Sequence, residues 1–450
     1  MATKLGHAPA AAAVRRTAAD RTPFRAGPTG SSSRPSTWDN DSVNPRTVVI
    51  LGSTGSVGTQ ALELIARNRD RFRVHAISAG GDNVGLLARQ ALEFEVEVVA
   101  VARATVAQDL QLAFYAEAQR RGYAQGEFRI PKILTGPDAS SELAAMPCDV
   151  VLNGITGSLG LRPTLAALDA GNTLALANKE SLVIGGPLVT RRVKPGQIVP
   201  VDSEHSAIAQ CLRGGSGDEV RKLLLTASGG PFLGRARSEL AEVTVEQALE
   251  HPNFAMGPVV TINSATLVNK GLELIEAHLL FGLPMDRIDV VVHPQQAVHS
   301  MVEFYDGSTL AQVGLPTMTV PIALGLGWPD RIPDASPPWN WAEASTWQFL
   351  PLDDEAFPSV QLAREAGARG GTAPAVFNAA NEVCVQAFRD GRLPFLAIVD
   401  TVARVVTDHD VPSYEELSID DVLAADAWAR SRARELTAGG NDNGQETTQA

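Results

Sequence analysis

The stretch Thr47-Val-Val-Ile-Leu51-Gly52-Ser-Thr-Gly55-Ser-Val-Gly58 decides how this chain is read. Its first five residues are a short run of apolar, mostly β-branched side chains that ends on glycine, the pattern of a strand buried on both faces of a parallel sheet. Residues 57–67 then switch to helical spacing, with Val57, Ala61, Leu64 and Ile65 on one side. Between strand and helix the glycines recur as G-x-x-G-x-x-G. Glycines there allow a tight turn and let backbone N–H groups approach a pyrophosphate, whose charge the helix N-terminus favours. A structural tight turn is the plainer account. The strand before and the helix after weight the reading toward a dinucleotide site.

Further strand-like runs follow at Val74–Ser78, Val96–Val101, Val150–Leu152, Leu174–Ala177 and Ile198–Val201, with helical patterns between them. The alternation predicts a doubly wound, Rossmann-like α/β domain over 47–200. From 201 to 331 the pattern mixes strands (Lys222–Thr226, Ile288–Val292, Leu310–Val313) with a helix near 266–281, which predicts a central α+β catalytic domain. Residues 332–358 carry Pro333, Pro337, Pro338, Pro351 and Pro358 and read as a linker. Residues 359–434 read as a C-terminal helical bundle, and 435–450 as a loose polar tail.

The chain has 450 residues, a formal charge of −13, 44% apolar residues and 20% charged residues. The acidic balance argues against nucleic-acid binding, which needs a basic footprint. No apolar stretch is long enough to suggest a membrane span. Cys148, Cys211 and Cys384 are too few and too scattered for a disulfide framework or a cysteine zinc site, and they suit a reducing compartment. Residues 1–46 hold seven Lys or Arg and three Asp, so they are +4 while the remainder is −17. Their composition reads as a disordered tail in a cytoplasmic protein. An organelle (plastid) transit peptide is the sharper alternative, with Asp20, Asp39 and Asp41 against it.

Two carboxylate motifs stand out. Asp202-Ser203-Glu204-His205 follows a strand and opens a helix. Lys270, Glu273 and Glu276 are spaced i, i+3, i+6 on one side of another helix. Carboxylates without paired Cys or His suit a hard ion such as Mg²⁺ or Mn²⁺. On spacing alone the plainer account is a helix cap beside a solvated acidic face, with Lys270 as an ordinary ion partner. Thr226-Ala-Ser228-Gly-Gly-Pro231 offers backbone N–H groups to an anion or is a simple turn. His251-Pro-Asn-Phe254-Ala-Met256-Gly257 reads as a surface loop or a mobile flap. Lys179 sits at a strand end with no apolar reason to be there. At the second strand's end, Ile77-Ser78-Ala79-Gly80 has no acid, which favours NADP over NAD. Asp82 in the next loop runs against that, and the only basic residues near enough to fold in are Arg89 and Arg103.

Taken in order, Gly52 to Gly58, Asn153-Gly-Ile-Thr-Gly157, Ala177-Asn-Lys-Glu-Ser-Leu182, Val201-Asp-Ser-Glu-His205, Ser228-Gly-Gly-Pro-Phe232, His251-Pro-Asn, Asn269-Lys-Gly-Leu-Glu273, His293-Pro-Gln and Asn378-Ala-Ala-Asn-Glu382 resemble the 1-deoxy-D-xylulose-5-phosphate reductoisomerase family. The resemblance runs from about Thr47 to Ala433. It implies NADPH- and metal-dependent conversion of 1-deoxy-D-xylulose 5-phosphate to 2-C-methyl-D-erythritol 4-phosphate, a step of non-mevalonate isoprenoid synthesis, by a homodimer. It implies Asp202, Glu204 and Glu273 as ligands of Mg²⁺ or Mn²⁺ (Co²⁺ as a substitute), with Lys179, Glu204 and Glu273 catalytic. It implies Lys179, Ser203, Glu204, Ser228, His251, Ser264, Asn269, Lys270 and Glu273 against the sugar phosphate. It implies Thr54, Gly55, Ser56, Val57, Gly81, Asn83, Asn178, Glu180 and Gly257 against NADPH. This chain departs from the family pattern at Phe254, where Trp is frequent, and at Asp82, where some members have a basic residue. It departs also at Asn263 for Asp and Gln296 for Ser. A semialdehyde dehydrogenase, the rival with a similar opening, would need a reactive cysteine, and Cys211 lacks matching surroundings.

Overall fold

The computed structural model describes residues 44–124, 127–250, 257–412 and 417–438. Seven strands form one parallel sheet: β1 (Arg46–Leu51), β2 (Phe72–Ala79), β3 (Val98–Val101), β4 (Lys132–Thr135), β5 (Val150–Asn153), β6 (Thr173–Leu176) and β7 (Ile198–Pro200). Their order is β4-β3-β2-β1-β5-β6-β7. The chain therefore winds outward from β1 in one direction and then in the other, leaving a crevice between the carboxyl ends of β1 and β5, the usual ligand position in such sheets. Strand β4, a short and partly exposed run at the sheet edge, had no clear sequence signal.

Alternation along β1 builds two cores. Val49 and Leu51 join a cluster that continues through Leu223, Leu225, Leu272 and Ile275 to Phe377, Phe388, Val402 and Ala429. Val48 and Ile50 point to the other face, against Leu64, Ile77, Val99 and Phe114. A single core thus joins the parallel sheet, the central region and the C-terminal helices.

The second sheet comprises β8 (Val220–Ala227), β9 (Ile288–Val292), β10 (Val298–Phe304), β11 (Thr309–Val313) and β12 (Leu350–Pro351), in the order β11-β10-β8-β9-β12. It is mixed, with β8 and β9 parallel and the other pairs antiparallel. The proline-rich stretch expected to be only a linker supplies β12. Its approach is anchored by His293, whose Nδ1 donates to Gln348 O at 2.8 Å while Nε2 accepts from the N–H groups of Ala297 and Val298. Helix Thr319–Gly327, placed by sequence in the central domain, instead covers the parallel sheet. Its Ile322 and Leu326 enter the Val48 cluster, because this helix is apolar almost all round and needs a sheet face to bury it.

Helix Val268–Phe281, which carries Asn269, Lys270 and Glu273, lies against helix Ser359–Arg369. The two approach closely at Gly271, where an added Cβ would come within 2.7 Å of the Ala363 methyl. Ser359 Oγ also donates to Thr266 O at 2.6 Å. Helices Ala373–Arg389 and Phe395–Thr407 then pack on this pair, and Ile419–Ala438 packs against those two. Among the described residues, no helix is long and apolar enough to cross a membrane. Gly271→Val should force the helix pair apart and cost about 1–3 kcal/mol, read as a lower midpoint of chemical denaturation. An unchanged midpoint would show that the contact relaxes freely.

Candidate active site

In a parallel sheet every strand delivers its carboxyl end to the same edge. Here that edge collects Gly52 after β1, Gly154 after β5, Asn178 and Lys179 after β6, and Asp202 after β7. Gly52 holds φ +82°, and a side chain there would strike Gly154 O at 2.9 Å. Helix Ser56–Ala66 opens without a side-chain cap and without an acid in its first turn, so its first N–H groups face the turn. Asn178 caps helix Lys179–Gly185 and its amide donates to Ile155 O and Gly157 O. The glycine turn, the 154–157 loop and Asn178 are therefore in direct contact, and Lys179 is the next residue.

Lys179 Nζ lies 2.6 Å from Asp202 Oδ2, 2.8 Å from Glu273 Oε1 and 3.2 Å from Asn269 Oδ1. Asn269 also donates to Glu273. Lys270 Nζ pairs with Glu204 Oε1 at 2.7 Å and with Glu273 Oε2. Ser203 Oγ donates to Glu204, and Asp202 caps the helix by accepting from Glu204 N at 3.2 Å. Six of the residues expected at the substrate thus meet in one cluster: Lys179, Ser203, Glu204, Asn269, Lys270 and Glu273. Ser228 and Ser264 adjoin each other through Gly230, whose Cβ position is 2.8 Å from Ser264 O. His251, like Phe254 and Met256 of the supposed flap, lies outside the described residues.

Behind the cluster sits a pair that sequence reasoning did not connect. His205, fully buried, places Nε2 at 2.8 Å from Glu273 O, and Nδ1 at 3.1 Å from Glu276 Oε2 and 3.3 Å from Asp202 Oδ1. Glu276 and Glu273 share a side of the helix as expected, but only Glu273 meets the lysines. Burial alone would depress the imidazole; Glu276 and Asp202 overcome it and push His205 up to about 9. Burial pushes Glu276 up to about 8 against His205. Burial likewise raises Glu204, aided by Glu273 and opposed by Lys270, to about 7. Asp202 goes the other way: burial is outweighed by Lys179 and His205, which hold its carboxyl well below the usual range. Lys179 is held well above an ordinary lysine because Asp202 and Glu273 outweigh its burial.

Among the described residues, four carboxyl groups here face three basic side chains, so that set is short of positive charge. Asp202, Glu204 and Glu273 each offer an oxygen, all within 4.8 Å of one another. An all-oxygen set of that kind fits a hard divalent cation. Asp202, His205 and Glu276 also converge, but the imidazole between two carboxylates already accounts for that group.

Glu180 and Gly257 line a cavity of about 960 Å³, walled also by Thr156 to Leu159, Asn263 and the C-terminal residues Glu382 and Arg430. Burial raises Glu180 despite Lys179 beside it. Asn263 Oδ1 accepts from buried Asn381 at 2.8 Å, so the C-terminal bundle reaches this wall. Thr54 to Val57 lie on the glycine turn. Gly81 and Asn83 lie on the loop after β2, where Asn83 caps helix Val84–Glu93. Cys211 is buried and its thiol is pushed up to about 11, away from the reactive thiolate that a nucleophile needs.

Residues 48–186 match the family model of 1-deoxy-D-xylulose 5-phosphate reductoisomerase. Residues 198–281 match its C-terminal domain model, and residues 313–432 match the DXP reductoisomerase C-terminal domain. The chain is 63% identical over 395 residues to the 1-deoxy-D-xylulose 5-phosphate reductoisomerase of Streptomyces coelicolor, covering 88% of this chain and 93% of that one. It is equally identical over 395 residues to the enzyme of Kitasatospora griseola, covering 87% and 100%. Among solved structures, the Zymomonas mobilis reductoisomerase in complex with NADPH superposes with a TM-score of 0.79 at 41% identity, covering 88% and 99%. A DOX-P reductoisomerase in complex with NADPH, fosmidomycin and magnesium superposes at 0.78 and 35% identity, covering 87% and 98%. Sequence, fold and the buried carboxylate cluster converge on one conclusion: this chain belongs to the 1-deoxy-D-xylulose 5-phosphate reductoisomerase family.

Proposed function

We propose that the Glu273 cluster carries the family reaction in this chain: the NADPH- and metal-dependent rearrangement and reduction of 1-deoxy-D-xylulose 5-phosphate to 2-C-methyl-D-erythritol 4-phosphate. The observation that carries the reading is the meeting of Asp202, Glu204 and Glu273 with Lys179 and Lys270, one loop away from the glycine turn. Asp202, Glu204 and Glu273 would hold Mg²⁺ or Mn²⁺. When bound, the ion supplies positive charge that polarises a carbonyl and favours an alkoxide, and NADPH supplies the hydride.

The remaining work falls to the protein. Lys179 and Lys270 restrain the three carboxylates while keeping the charge of the cleft in check. Lys179 is also placed to donate a hydrogen bond to a substrate oxygen beside Glu273. Ser228 and Ser264, brought together at Gly230, and Asn269 with Lys270 would hold the phosphate away from the reacting carbons and so fix their orientation. His205 sits behind this layer, locking Asp202 and the backbone of Glu273. Thr54 to Val57 and the open helix N-terminus suit the pyrophosphate. Gly81 and Asn83 suit the ribose end, and Asn178, Glu180 and Gly257 suit the nicotinamide end. A three-part division at about 200, 331 and 358, a homodimer and a cytoplasmic setting complete the reading, supported by the family resemblance.

Two outcomes test it. Full chain incubated with 1-deoxy-D-xylulose 5-phosphate should oxidise NADPH only with Mg²⁺ or Mn²⁺. Glu273→Gln should lower kcat at least about 100-fold while the affinity for NADPH stays within a few-fold; parallel loss of both in a folded variant would remove Glu273 from the metal site. Separately, Lys270→Met leaves Glu204 and Glu273 without their shared cation and should cost about 3–5 kcal/mol in metal-free protein. Mn²⁺ should raise the melting temperature of that variant more than that of the wild type. An equal rise would mean that the ion does not answer the same charge.

A further inference from the structure

We propose that Arg103, delivered by β3, clamps the 2′-phosphate of NADPH, and that Asp82 holds it in place in the free protein and limits its grip. This rests on the reductoisomerase reading above. In a doubly wound sheet the adenosine ribose lies over the carboxyl end of β2, where an acid selects NAD and a nearby arginine accommodates the extra phosphate of NADP. Here β2 ends without an acid, and the loop that follows offers Asp82 but no base.

The missing charge comes from the next strand. Ala79 of β2 is the register partner of Val101 of β3. Beyond that pair, Ala102 N donates to Ala79 O at 3.1 Å and Arg103 N to Gly80 O at 3.4 Å, so the two strand exits are tied together. The Arg103 side chain then crosses Gly81. A Cβ at Gly81, whose φ is +109°, would sit 3.3 Å from Arg103 Nε and 2.9 Å from the Val106 side chain. Glycine thus lets the loop pass beneath the guanidinium. Arg103 Nη2 pairs with Asp82 Oδ1 at 2.8 Å, and the two side chains are 52% and 88% exposed. A guanidinium has five N–H donors in a fixed fork, so this exposed pair leaves donors open to solvent beside Gly81, where the ribose would lie. Arg89, the other nearby base, lies in the second turn of helix Val84–Glu93, beyond the Asn83 cap.

The pair is poised rather than locked. An exposed ion pair contributes little, so a dianionic phosphate competes well for the arginine. Asp82 would then face that phosphate with like charge. With NADH, Asp82 would meet a ribose hydroxyl instead. This chain therefore builds its NADPH preference from two strands, with a built-in brake.

The test measures KM and kcat for NADPH and NADH with the full chain, its sugar phosphate and Mn²⁺. In parallel, calorimetry follows binding of adenosine 2′,5′-bisphosphate and of 5′-AMP. Arg103→Ala should raise KM for NADPH about 10- to 100-fold, with kcat and the NADH constants within about two-fold. Arg103→Lys should fall between. Asp82→Asn should lower KM for NADPH and raise it for NADH. The bisphosphate should lose affinity in Arg103→Ala as NADPH does, and 5′-AMP should not. An NADPH KM unchanged in Arg103→Ala, or an equal loss for both cofactors, would overturn the clamp. A wild-type chain that binds the bisphosphate through Arg103 yet oxidises no NADPH would sustain the clamp and sink the reductoisomerase reading.

Discussion

Two ammonium groups and an imidazolium hold four carboxyl groups together where water is scarce. Everything else in the molecule serves that arrangement. Charges in such a place are costly unless each finds a partner. The partners come from three stretches far apart in sequence: Lys179 after β6, Asp202 to His205 after β7, and Lys270 to Glu276 on a helix beside the other sheet. No local segment could satisfy its own charges, so the site exists only when the two sheets are docked. Glu204 and Glu276 are pushed in the neutral direction while Asp202 is driven the other way. That contrast within a few ångströms is the imprint of a cluster short of positive charge.

Position in the fold explains how the glycine turn and the carboxylates become neighbours. Parallel strands put all their carboxyl ends on one edge, and the reversal of strand order at β1 and β5 opens the crevice there. The glycine turn touches the 154–157 loop, and the Asn178 amide bonds to that loop from the start of the helix that carries Lys179. The turn is thus linked to the lysine through two contacts. On the other side, Ser359 bonds to Thr266, and Gly271 allows the tight approach of the helix behind it. The C-terminal bundle therefore supports the acidic helix, and Asn381 extends that support to the wall beneath Gly257.

Much of this was legible in the residues. The β-branched run before Gly52 and the helical spacing after it specify a strand, a turn and a helix by sterics alone, and the same reading holds for β2, β3, β5, β6 and β7. Edge strand β4 and the alternating β10 were less legible, because a short or half-buried strand leaves little contrast with a loop. Helix Thr319–Gly327, inside the stretch read as the central domain, packs on the parallel sheet: a segment apolar on almost every side announces burial but not its partner.

The sequence by itself determined which side chains were available and how they were spaced: the glycine turn, the Asp-Ser-Glu-His step, the Asn-Lys-Gly-Leu-Glu helix and the order in which they come. Tertiary structure alone decided which of them meet. Glu273 and Glu276 are one helical turn apart and indistinguishable by periodicity, yet one faces two lysines and the other a buried histidine. Arg89 is much nearer to Asp82 along the chain than Arg103 is, yet strand pairing brings Arg103 across Gly81. Spacing specifies direction within an element; partners are chosen by the packing of elements distant in sequence, and charge burial makes that choice matter.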